Sequence, residues 1–68
     1  MNTNFNPEQY AKRMEITALK RLLKQSDYKA IKYAEGLLTA EEYEPIKQQR
    51  QAWRNQINQL EAELAQEE

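Results

Sequence analysis

The sequence predicts an all-α chain of two to three helices, an antiparallel helical hairpin whose long C-terminal helix has coiled-coil-like spacing, expected to self-associate. Three observations carry this. From Tyr43 to Leu64 the seam positions Tyr43, Ile46, Arg50, Trp53, Ile57, Leu60 and Leu64 alternate in steps of three and four residues. Apolar side chains at that spacing turn one edge of a helix into a packing seam, and read as heptads these residues take the a and d sites. Helix start and stop signals punctuate the chain at Asn6, Gly36 and Thr39. Finally, 68 residues with no cysteine and no histidine leave neither a disulfide framework nor the usual zinc ligands to staple a small core. Helices packing on helices, within a chain or between copies, are the remaining source of stability.

Residues 1–6 are expected to form a flexible N-terminal arm ahead of a single helical domain over residues 7–66. Asn6 can cap a helix with Pro7 at its first position and Gln9 closing a capping box, while Phe5 and Tyr10 stand where a hydrophobic staple would put them. The first helix is placed over residues 7–25. Its apolar face is read as Ala11, Met14, Ala18, Leu19, Leu22 and Leu23, with Ile16 outside the main stripe. Ser26 and Asp27 are cap-forming residues, so a break or kink is expected there, followed by a short helix over residues 27–35 that ends at Gly36, the single glycine. If Ser26 does not break the helix, Pro7 to Glu35 is one rod.

The next start is explicit in Leu38-Thr39-Ala40-Glu41-Glu42-Tyr43: a Thr cap, a Glu three residues on, and a Leu38–Tyr43 staple pair. This helix should occupy residues 40–65. Pro45 at its sixth position removes the bond to the Glu41 carbonyl, so a kink, or a turn with a restart near Glu44, is expected. Gln66-Glu67-Glu68 should fray, with acids at the unfavourable end of the dipole.

Charge is segregated along the chain. Residues 1–34 hold seven Lys or Arg against three acids, and residues 35–68 hold three against eight. Such a chain folds back on itself or pairs head to tail, bringing Lys12, Arg13, Lys20 and Arg21 near Glu61 and Glu63. Within the seam, Arg50 and Trp53 have two readings. They are an anchor for a partner, or Trp53 is the main core residue and Arg50 runs along it to water or to an acid such as Glu42.

Catalysis is disfavoured, and no catalytic, cofactor-binding or metal residues are assigned. Ser26 is the only serine, with no His or Cys to activate it, and one glycine cannot build a phosphate-binding loop. Glu41, Glu42 and Glu44 at a helix start read as dipole compensation. A basic run of Lys12, Arg13, Lys20, Arg21, Lys24, Lys29 and Lys32 with Tyr28 and Tyr33 interleaved is the one feature compatible with nucleic acid. The helix holding Ile31, Tyr33 and Ala34 looks more like packing than groove reading. The basic first helix lacks Trp and reads as core-facing rather than membrane-bound, and no apolar run approaches a membrane span or a signal peptide.

The stretch Lys20-Arg21-Leu22-Leu23-Lys24-Gln25-Ser26-Asp27-Tyr28, then Leu38-Thr39-Ala40-Glu41-Glu42-Tyr43 and Arg50-Gln51-Ala52-Trp53-Arg54, resembles the end segment of phage tail-fibre assembly and tail-assembly chaperone proteins. The likeness spans roughly residues 20–57. Tyr28 stands where those segments usually have Trp, and a helical Lys29–Glu35 replaces their proline-containing spacer. The resemblance implies a phage or prophage structural or assembly role, through binding a tail protein, in the host cytoplasm or the virion, with no catalytic residues. The expected partners are a second copy of the chain, from the seam and the small core, and a phage tail protein, from the resemblance. A small nucleic-acid-binding regulator using the basic first half is the alternative.

Overall fold

Asn6 starts the first helix as its side chain predicts. Its Oδ1 accepts from the backbone N–H of Glu8 at 2.9 Å and of Gln9 at 3.2 Å, satisfying two of the donors that a helix N-terminus leaves open. Pro7 takes the first helical position, where its missing N–H costs nothing. The staple is formed too, with the Phe5 and Tyr10 rings 5.7 Å apart. Residues 5 and 6 thus take part in the helix start. The computed structural model describes residues 5–67; residues 1–4 of the expected arm, and Glu68 of the expected frayed end, lie outside the described residues.

Helix α1 runs from Pro7 to Ala34 without interruption, so the expected helices over residues 7–25 and 27–35 are one. Ser26 does not cap anything. Its hydroxyl donates to the Leu23 carbonyl of its own helix at 2.9 Å, and the polar demand that would have favoured a cap is met inside the helix. The stop at Gly36 is as expected and is a Schellman turn: Gly36 N–H bonds to the Tyr33 carbonyl at 3.0 Å and Leu37 N–H to that of Lys32 at 2.8 Å. Gly36 sits at φ +81°, a left-handed conformation that a side chain disfavours.

Helix α2, Ala40–Glu67, begins with a complete capping box. Thr39 Oγ1 accepts from Glu42 N–H at 3.0 Å, and Glu42 Oε1 accepts from Thr39 N–H at 2.9 Å. The helix passes through Pro45 with no restart near Glu44. Proline's fixed φ is helical, and the carbonyl it leaves unbonded belongs to Glu41, an exposed residue that water can reach. At its other end α2 continues two residues past the expected Ala65.

The two helices pack along their length as an antiparallel hairpin, and there is no strand among the described residues. Ring stacking sets Tyr33 opposite Tyr43, a hydrogen bond sets Ser26 opposite Arg50, and an ion pair sets Lys12 opposite Glu63. The same register brings Leu23 level with Trp53 and Leu19 level with Ile57. The core is Ile16, Leu19, Ile57 and Leu64, with Leu23, Trp53 and Leu60 packed against it. This corrects the expected face of α1: Ile16 is 8% exposed and central, while Met14 is 50% exposed and points away. The inner edge of α1 follows its own three- and four-residue steps through Lys12, Ile16, Leu19, Leu23, Ser26, Ala30 and Tyr33. The Cα trace measures 57 × 18 × 13 Å, so the hairpin is a thin rod, and among the described residues no side chain is fully buried.

Candidate protein-association surface

Each residue of the expected seam on α2 is turned toward α1. Ile57, Leu64 and Arg50 are buried, and Tyr43, Ile46, Trp53 and Leu60 are half-buried. Within one chain, then, α1 covers this seam, and any further association must use what remains open beside it.

Arg50 is the one buried charged residue among those described, at 8% exposure, and it is held on α1 rather than by Glu42. Its Nη1 donates to the Leu23 carbonyl at 2.9 Å and to Ser26 Oγ, and its Nη2 lies 3.0 Å from Asp27 Oδ1. Glu42 is occupied instead by the Thr39 cap. A buried guanidinium is tolerated only when its donors are met, and here one turn of α1 supplies an acceptor carbonyl, a hydroxyl and a carboxylate. The cluster accounts for Ser26 and Asp27 within a continuous helix. A signal for it was present in the sequence: a charged residue at a seam position of one helix calls for polar residues at the facing seam of the other.

Ion pairs bridge the helices nearer the chain ends, among them Lys12 to Glu63 at 3.5 Å and Lys20 to Glu61 at 3.7 Å. The basic first half and acidic second half thus meet within one chain. Lys32 lies over the Tyr28 ring, 5.3 Å from its centroid.

Beside the inner seam the hairpin is open on both flanks, one of them past Arg13, Lys20, Glu61 and Ala65, the other more apolar. A groove there is lined on α1 by Leu22 and Lys29 and on α2 by Pro45, Ile46, Gln49 and Trp53. Leu22, expected in the core with Leu19 and Leu23, is 38% exposed and forms the wall of this groove. A separate hollow lies farther along the rod, past Glu15, Gln56 and Leu60. The acids at the start of α2 form no paired site, since Glu42 caps the helix and Glu44 accepts from Gln48 at 3.0 Å. Among the described residues no three of His, Cys, Asp and Glu gather closely enough to hold a metal ion, and no helix is long and apolar enough to cross a membrane.

No protein-family model, curated protein or solved structure matches this chain.

Proposed function

We propose that the chain is a non-catalytic association protein, a helical hairpin that binds other helices through its more apolar flank during assembly of a phage or prophage tail. The carrying observation is the contrast between a seam already filled by α1 and an adjoining groove, walled by Leu22, Ile46 and Trp53, that nothing in the chain covers. An exposed Leu beside a half-buried Trp on a helical frame suits helix-in-groove recognition. The α1–α2 contact itself is assigned as an antiparallel coiled coil, on the strength of the matching three- and four-residue steps on both helices. The tail setting, and with it the host cytoplasm or virion, rests on the resemblance of residues 20–57. Co-purification with a phage tail protein, lost on Leu22→Glu in a chain that keeps its helicity, is the expected result. A wild-type chain that neither self-associates nor retains any co-expressed tail protein would overturn the reading.

The nucleic-acid alternative draws on Arg21, Lys24 and Tyr28, all exposed on the outer side of α1. It predicts RNA or DNA binding that weakens steeply with salt and is lost on Arg21→Glu. Against it, Lys12, Lys20, Lys32 and Arg50 are already engaged with Glu63, Glu61, Tyr28 and Asp27.

A further inference from the structure

On α1 the more apolar flank has an order of its own. Ala11, Glu15, Ala18, Leu22, Gln25 and Lys29 follow alternating steps of four and three residues, a second seam about a quarter turn from the one that meets α2. All six are exposed. Leu22 is the large apolar residue of this seam, and Glu15 and Lys29 stand seven residues before and after it, two helical turns in each direction. Neither makes an ion pair among the described residues. An acid and a cation placed symmetrically about an apolar centre are complementary to their own reversed copy.

We propose that the occupant of this flank is a second copy of the chain, laid antiparallel about a two-fold axis that passes Leu22 and Trp53. This rests on the flank being a binding surface and names its partner. About that axis Leu22 meets Leu22 of the second copy, and Glu15 of each chain meets Lys29 of the other, giving two cross-pairs from one patch. Trp53 stands level with Leu22 across the groove, so the same axis brings the two indoles together. On α2 the middle of that flank is uncharged, with Gln49, Ala52 and Gln56, while Glu42 of each copy comes level with Glu63 of the other toward the ends of the rod. The thin core argues for the same occupant. Four buried apolar residues in a rod of this size leave little margin, and pairing two hairpins into a four-helix bundle covers Leu22, Ile46 and Trp53 with no further partner.

Sedimentation equilibrium over a wide concentration range, with emission of the single tryptophan read on the same samples, tests this. The wild type is expected to dimerise, with Trp53 emission moving to the red as the dimer dissociates. Leu22→Glu should weaken the dimer by about a hundredfold or more while helicity at high concentration is retained. Glu15→Lys and Lys29→Glu should each weaken it by about tenfold, since both cross-pairs become repulsive. Mixed together these two variants should recover, because one then presents cations at both sites and the other acids, and the Glu15→Lys/Lys29→Glu double variant should recover alone. A dimer indifferent to all three charge changes would place the contact on another face and overturn the proposal. A wild type monomeric at every concentration overturns it as well. If such a monomer still loses a tail protein on Leu22→Glu, the flank stands as a binding surface and only its occupant is wrong.

Discussion

The two halves of the hairpin are held by different forces. Away from the turn, Ile16 and Leu19 meet Ile57 and Leu64, and the helices adhere by removing apolar surface from water. Toward the turn, the facing residues are Ser26 and Asp27 with Arg50, and Tyr33 stacked on Tyr43 at 4.5 Å with the rings nearly parallel. The apolar half is indifferent to small slips, because one aliphatic side chain can replace another in a contact. The Arg50 cluster is not, since its three acceptors lie within one turn of α1. A guanidinium displaced by one helical turn would be buried without partners. Stability and register are thus assigned to separate ends of one rod.

Substitutions that strike one half and spare the other test this division. The largest effect is expected in the apolar half: Leu19→Ala should cost about 2–4 kcal/mol in urea unfolding followed by far-UV circular dichroism at fixed protein concentration. In so thin a rod that is enough to leave much of the population unfolded. Arg50→Ala should cost less, about 1–3 kcal/mol, by removing charge-assisted bonds from a buried site. Arg50→Met sharpens the contrast. It should be near neutral or stabilising in the same melt, yet broaden the amide spectrum as alternative registers become populated. A single sharp set of resonances for that variant would show that Arg50 does not set register.

Smaller effects lie at the turn that joins the halves. Gly36→Ala should cost about 1 kcal/mol by backbone conformation alone, because an added Cβ meets nothing within 4 Å. Thr39→Ala should cost about 1 kcal/mol by opening the capping box. The smallest is Lys20→Ala, expected at under about 0.5 kcal/mol and further reduced by salt, because both members of the Lys20–Glu61 pair are more than half exposed.

The ends of the helices were legible in the sequence because caps act locally. Asn6, Gly36, Thr39 and Glu42 each satisfy backbone groups two or three residues away, and all do so as expected. The inward edge of α2 was legible too, since its residues keep one strict spacing and only Arg50 among them is charged. The ion pairs joining Lys12 and Lys20 to Glu63 and Glu61 follow from segregated charge and a short turn.

The inward edge of α1 was decided only by the tertiary structure. That helix carries two stripes at the same spacing, one through Ile16, Leu19 and Leu23, the other through Ala18 and Leu22, and local periodicity does not rank them. The inward one is the stripe that both buries Ile16 and Leu19 against Ile57 and Leu64 and offers Ser26, Asp27 and the Leu23 carbonyl to Arg50, with Leu22 left outside. The continuity of α1 has the same origin. Ser26 and Asp27 read in isolation are helix breakers, because their short polar side chains compete for nearby backbone. Once Arg50 faces them from the second helix, that competition is satisfied without a break. The caps and the α2 seam lay within reach of their own neighbours, whereas the choice between the two edges of α1 depended on residues more than twenty positions away.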